Sequence, residues 1–233
     1  MSDAAAAHAP DLAEEPTLGR REAAKAERRR RIIEAARALI RETGNPGLSM
    51  RALAARAGVS LATPYNLFGS KRAIVLALLE DVREFGDRFA AVRSVDPLER
   101  MFAAVDISTD FYIADPQFYK TLWSAVFDTS DEVRTAIYNP KANAFWLQLV
   151  QAAEAQGVLV GGVDSRLILI QLVHVFRSAM LDWVVGEVSA QALAPTIRLG
   201  YAMILNGVAA PDWRGPLQAR ILDSQARLLQ SGG

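Results

Sequence analysis

The 233 residues include no cysteine and two histidines, His8 and His174. That inventory holds no nucleophile–base pair and no metal cluster, and no glycine-rich phosphate loop accompanies it. Covalent, metal and cofactor chemistry are therefore not expected, and the chain is read as not an enzyme. Non-covalent chemistry concentrates instead between Ser49 and Lys71, in the stretch SMRALAARAGVSLATPYNLFGSK. Two short helical patterns stand there on either side of the turn AGVS. Leu53, Ala54, Ala57 and Val59 hold the pair together, the alanines allow close approach, and Gly58 permits the turn. The second helix is left free to enter a major groove, which admits one helix. Its outward residues are read as Leu61, Ala62, Thr63, Pro64, Tyr65 and Asn66.

The flanking sequence supplies the elements that would position this stretch. Helical spacing begins at Lys25, and Ile32, Ile33, Ala36, Leu39 and Ile40 define one apolar face. Gly44, Asn45, Pro46 and Gly47 stop that helix. Ser49 is the expected N-cap of a second helix, Ser60 of a third, and Ser70 of a long fourth through Ile74, Leu78, Val82, Phe85 and Phe89. Charge follows the same segment. Residues 20–72 hold 13 of the 26 Lys and Arg but 4 of the 26 Asp and Glu, within a chain of zero net charge. Such asymmetry points to a nucleic-acid-binding part joined to something else, the alternative being a solvated charged helix.

With its leading helix RRRRIIEAARALIRETG, the turn LAARAGVS and the stretch TPYNLFGSK, the segment from about 25 to 80 resembles the TetR family of bacterial repressors. Tyr65, Phe68, Ser70 and Lys71 match positions of that family's pattern. The resemblance implies that helix three reads base edges through Leu61, Ala62, Thr63 and Pro64, flanked by Ser60 and Asn66, with Tyr65 reaching phosphate. Thr63 can hydrogen-bond a base, and the apolar three can touch a thymine methyl. Phosphate contacts are implied for Ser49, at the start of helix two, and Lys71, at the start of helix four. Arg20, Arg21, Lys25 and Arg28 are placed to reach backbone or minor groove, a solvated surface being the alternative. Pro64 stands where the family has an aliphatic or aromatic residue. Its missing N–H leads to the expectation of a late start or a bend in helix three.

Beyond Asp96-Pro97 helical periods continue, broken at Asp115-Pro116, Asn139-Pro140, Gly157, Gly161-Gly162, Gly186, Pro195 and Pro211. The expected fold class is all-α, with about nine or ten helices. Residues 1–24 are read as a disordered arm, 25–72 as a three-helix helix-turn-helix DNA-binding domain, and 73–233 as a larger helical ligand-binding and dimerisation domain. The longest greasy segment, near Leu167 to Phe176, stops at Arg177 and falls short of the roughly 20 residues that span a bilayer. No membrane partner is expected, and the absence of cysteine suits the cytoplasm.

A helix from about Asp164 to Val185 is apolar nearly all round and must be covered on both sides. A later one is expected from Pro195 to Ala210, with Gly200 and Gly207 permitting close approach. Leu172, Phe176, Met180 and Trp183 of the first, with Tyr201, Ile204, Leu205 and Val208 of the second, are read as a four-helix interface between two copies. The position matches where the family dimerises, and an intrachain core is the competing reading. A homodimer would read a palindromic operator in double-stranded DNA. The resemblance also places an effector pocket between head and interface. Phe102, Phe111, Tyr112, Tyr119, Trp123, Phe127, Phe145 and Trp146 would suit a small apolar or aromatic effector there, with Gln148, His174 and Arg177 among the polar handles. Plain core packing competes for every one of these rings. The function implied is a ligand-responsive repressor released from its operator by that effector. A DNA-binding dimer without an effector, or an activator, stays open.

Overall fold

The computed structural model describes residues 15–79, 83–127 and 140–231. Helices make up nearly all of it, and among the described residues strand-like pairing is confined to one bridge, Leu159 with Ala209. The head comprises α1 (Glu15–Thr43), α2 (Met50–Ala57), α3 (Ala62–Phe68) and α4 (Lys71–Leu79). The second unit comprises α5 (Arg83–Ala90), α6 (Pro97–Ala114), α7 (Pro116–Phe127), α8 (Pro140–Ala155), α9 (Ser165–Val185), α10 (Ala190–Gly207) and α11 (Pro211–Ser231). The fourth helix expected from Ser70 to Phe89 corresponds to α4 and α5, and Val82 lies outside the described residues.

Helix α1 starts at Glu15, well before the expected Lys25. Residues 15–24, read as arm, are therefore its first turns, while 1–14 lie outside the described residues. Ala, Glu, Lys and Arg are strong helix formers, and pairs on the exposed side support the extension. Lys25 sits 3.9 Å from Glu22, and Arg30 reaches both Glu27 and Glu34 at 2.5 Å. Gly44, in the left-handed region at φ +61°, lets the chain turn out of α1.

The head core is built from Ile32, Ala36 and Ile40 of α1, Met50, Leu53 and Ala57 of α2, and Ile74, Val75 and Leu78 of α4. It does not close by itself. Phe118 and Leu122 of α7, both fully buried, complete it from the second unit. Arg37 and Arg41 of α1 lie over the Phe118 ring, and Arg41 Nε donates to Asp115 Oδ2 at 2.8 Å. The expected boundary at residue 72 is thus no break, because α4 belongs to the head and α7 serves both units.

The larger core joins Leu98, Met101, Phe102 and Val105 of α6 to Val150 and Ala153 of α8. Ile168, Leu172, Met180 and Trp183 of α9 and Leu193, Ile197, Tyr201 and Leu205 of α10 fill the rest. Helix α9 runs 21 residues, through Arg177 to Val185, and is by length and composition apolar enough to cross a membrane. Its inner face is nevertheless part of this core. Helix α10 begins under a Ser189 cap, so Pro195 does not start it but sits buried inside it. Asp106 of α6 pairs with Arg198 of α10 at 2.5 Å, and burial raises its carboxyl pKa more than the guanidinium lowers it. A Cβ on Gly200 would fall 2.5 Å from Val175 Cγ1, so α9 and α10 approach through that glycine, whereas Gly207 faces open space.

Valine is stiff at χ1, so the neighbour cannot simply rotate away from a methyl group at residue 200. Gly200→Ala is expected to cost about 1–3 kcal/mol as overpacking, seen as a lower thermal midpoint. An unchanged or raised midpoint would contradict this close approach.

Candidate nucleic-acid interface

Helix α2 begins as its sequence suggests. Ser49 is extended, at φ −74° and ψ 113°, and its Oγ accepts the Ala52 N–H at 3.3 Å. That leaves the hydroxyl proton free to donate outward. At the other end Gly58 takes φ +62° and ψ 41°, and Val59 N–H returns to Ala54 O at 3.0 Å while Gly58 N–H reaches Ala55 O at 3.2 Å. These two bonds form a Schellman closure, and its left-handed residue is one that favours glycine. The chain then crosses to α3 in four residues, 58–61.

Helix α3 begins one residue later than expected. Ser60 does not cap it, because its hydroxyl is shared with Thr63 Oγ1 at 2.8 Å, and Leu61, in the helical region, stands at the N-cap without a side-chain bond. Pro64 is accordingly the third helical residue, within the turn whose N–H groups have no helical partner anyway. The late start expected for Pro64 is the outcome, and it avoids the lost bond. Pro64 is also buried, not outward, and Thr63 is half-buried. The face left to solvent comprises Leu61, Ala62, Tyr65 and Asn66, with Leu61 51% and Tyr65 48% exposed. Two large side chains, Leu61 at the N-cap and Tyr65 within the helix, thus stand about half exposed on a seven-residue helix.

The basic residues sort into two groups. Lys71 is exposed at the first position of α4, next to Ser70, whose Oγ accepts the Ala73 N–H at 3.0 Å. Arg20, Arg21, Lys25 and Arg28 are exposed along the first half of α1. Others are occupied within the head. Arg56 pairs with Glu42 at 2.7 Å, and Arg30 is held firmly charged by hydrogen bonds to Glu27 and Glu34, which raise its pKa. Arg29 was not singled out by its type. Its Nη1 donates to Leu67 O at 2.5 Å, and its guanidinium lies 4.1 Å over the Phe68 ring. The available signal was its place three and four residues before Ile32 and Ile33, which puts it beside the apolar face of α1.

The residues expected at a copy-to-copy interface divide differently. Leu172, Met180, Trp183, Tyr201 and Leu205 are buried in the chain's own core and are not available to a partner. Phe176, Ile204 and Val208 are half-buried beside them. The opposite side of α9 presents Leu167, Ile170, Leu181 and Val185 to solvent, with His174 between them, and α10 adds Met203.

The aromatic residues do not form one set. Tyr112 of α6 is ringed by Tyr119 (5.1 Å), Trp123 (6.1 Å), Phe176 (6.4 Å) and Trp183 (6.4 Å), and Phe127 stacks on Trp123. Phe145 and Trp146 belong to a second group with Phe85, Phe89 and Tyr201. Phe102 is buried under Arg198 and Arg220, and Phe111 lies under Arg88. Gln148 and His174 are exposed and so are not polar handles inside an apolar cluster, while Arg177 is half-buried with its Nε unpartnered. Burial raises the hydroxyl pKa of Tyr112, helped by Tyr119, and that of Tyr201, helped by Tyr112. Both phenols stay protonated and can donate. The Trp123 indole N–H opposes the shift at Tyr112 but falls short of hydrogen-bond geometry, which leaves Nε1 buried without a partner.

Residues 32–78 match the family described as bacterial regulatory proteins, tetR family. Among curated proteins, the HTH-type transcriptional repressor KstR of Rhodococcus jostii (strain RHA1) is 39% identical over 79 residues, 34% of this chain and 37% of that repressor. The match thus spans little more than a third of the relative's own length. Among solved structures, Thermus thermophilus FadR, a TetR-family transcriptional repressor in complex with lauroyl-CoA, aligns with a TM-score of 0.64 at 21% identity, over 78% of this chain and 97% of that one. A TetR transcriptional regulator from Rhodococcus sp. RHA1 aligns with a TM-score of 0.61 at 21% identity, over 77% and 96%. At these identities the likeness is one of fold.

Because Tyr65 is half exposed and lies outside the head core, Tyr65→Ala is expected to change stability by no more than about 0.5 kcal/mol. Leu53→Ala, in the core, should cost about 2–5 kcal/mol. A thermal midpoint that falls as far for Tyr65→Ala as for Leu53→Ala would show that Tyr65 supports the fold and is not free for a partner.

Proposed function

We propose that this chain, whose residues 32–78 match the tetR family of bacterial regulatory proteins, is a transcriptional repressor that binds DNA through its head, a homodimer on a palindromic operator, released by a small apolar effector. The outward face of α3 carries the reading. Leu61, Ala62, Tyr65 and Asn66 offer two apolar contacts, a phenol and an amide on one narrow helix, a mixture suited to thymine methyls, base edges and phosphate in a major groove. The Ser49 hydroxyl and the Lys71 ammonium flank that face as phosphate contacts. Thr63 and Pro64 serve the reading helix from within.

A second copy covers the outer stripe of α9, Leu167, Ile170, Leu181 and Val185, together with Met203 of α10. Four exposed aliphatic side chains along one side of a 21-residue helix are costly to leave in water. A twofold pair places two reading helices on successive turns of DNA. The Tyr112 cluster supports an apolar or aromatic effector, with the Tyr112 hydroxyl and Trp123 Nε1 as polar groups among its rings. The FadR of Thermus thermophilus holds lauroyl-CoA, and a long acyl chain is one ligand of that character. Release follows if the effector binds better to a conformer whose heads no longer match the groove repeat, a coupling of roughly 1–3 kcal/mol. A regulator of this kind acts on DNA in the cytoplasm, needs no cofactor and is not an enzyme.

Lys71→Ala is expected to weaken binding equally on all duplexes and to lower the slope of log K against log salt by about 1.8, one phosphate contact from each of the two copies. A full slope would remove Lys71 from the interface. For the dimer, Leu181→Arg should convert a sedimenting dimer into a monomer while the helical signal persists. A variant that still sediments as a dimer would place the interface elsewhere.

A further inference from the structure

We infer that Arg29 is a positioning residue for sequence reading: it fixes the C-terminal end of α3 from α1 and makes no phosphate contact of its own. The inference rests on the DNA-binding reading and adds a residue to it. Helix α3 has seven residues, and its N-cap, Leu61, supplies no side-chain bond. Its last carbonyls have no helical N–H to receive. Gly69 N–H closes onto Tyr65 O at 2.7 Å, and Leu67 O is met by Arg29 Nη1 at 2.5 Å. The same guanidinium lies 4.1 Å over Phe68, the next residue. One planar cation therefore bonds a carbonyl at the negative end of the helix and stacks on the adjoining ring.

Both contacts act at one end of a rod whose exposed residues Tyr65 and Asn66 stand two positions and one position before Leu67. Freeing that end allows α3 to tilt, and a tilt moves the base-facing side chains without altering the charge presented to phosphate. The type and place of Arg29, within the run Arg28 to Arg31, suggest a backbone contact by charge alone. Its geometry says otherwise, since Nη1 and the flat face of the guanidinium are both engaged with the end of α3 at the head's surface.

Arg29→Lys separates the two roles. It keeps the charge, and one ammonium cannot bond a carbonyl and stack flat on Phe68 together. The probes are a duplex selected from a random pool with the wild-type protein and an unselected duplex of equal length. The expected result is at least a fivefold loss of preference for the selected duplex, with affinity for the unselected one and its salt slope unchanged. Arg29→Ala should do the same, still with the full slope. Preference retained in Arg29→Lys, or an equal loss on both duplexes with a shallower slope in Arg29→Ala, would overturn the assignment. A second measurement needs no DNA. Backbone amide exchange at Phe68 and Gly69 should accelerate in Arg29→Lys while that of Ile40 and Leu53 stays slow, and unchanged exchange at Phe68 and Gly69 would equally overturn it. If the wild-type protein selects no duplex, the DNA-binding reading fails on its own, and the exchange result still decides the clamp.

Discussion

A seven-residue helix cannot sustain itself in water, because fixing its first turn costs more than its few hydrogen bonds return. Everything this chain is proposed to do with DNA depends on α3 being held from outside. Pro64 is buried against the head, Leu67 and Phe68 pack half-buried beside it, and Arg29 holds the far end. The left-handed closure at Gly58 sets the direction in which the chain leaves α2. Only with those constraints in place can the remaining face carry two large side chains about half exposed. The exposure of Leu61 and Tyr65 is thus a consequence of how thoroughly the other side of the helix is engaged.

The same dependence ties the two units together. The head core is completed by Phe118 and Leu122, which belong to α7 of the second unit. One residue on, Tyr119 contacts both Phe118 and the Tyr112 ring, at 5.1 Å each. A single helix therefore has one side in the head and the next in the aromatic cluster. The Arg41–Asp115 pair and the two guanidiniums over Phe118 add polar contacts at the joint, though exposed pairs of this kind contribute little stability. Packed interfaces shift between discrete arrangements more readily than they deform, so displacement of α7 by a ligand would reach α1 and, through it, the clamp on α3.

Local hydrogen bonding and periodicity made much of this legible in the sequence. The caps at Ser49 and Ser70, the turn at Gly58 and the apolar face of α1 depend on near neighbours and could be read directly. For Pro64 the missing N–H left a late start or a bend open, and only the folded chain decides between them: α3 begins at Ala62, which puts Pro64 third in the helix. Helix α9 could not be divided in advance. A helix apolar on every side shows no preferred face, so nothing distinguished Leu172 and Trp183, which its own chain claimed, from Leu167 and Val185, which it left outside. The aromatic rings belong to elements far apart in sequence, and their division into two groups depended on tertiary packing. Arg29 was hidden by its neighbours, since four consecutive arginines look alike until one is found against a ring.

Hydroxyl-radical footprinting of a duplex selected with the full chain at low ionic strength tests the central claim most directly. Two protected patches on one side of the duplex, their centres about 10 base pairs or a multiple of that apart, are the expected pattern for a twofold pair of reading helices. Uniform cleavage at every protein concentration, or one patch without a symmetric partner, would contradict the account.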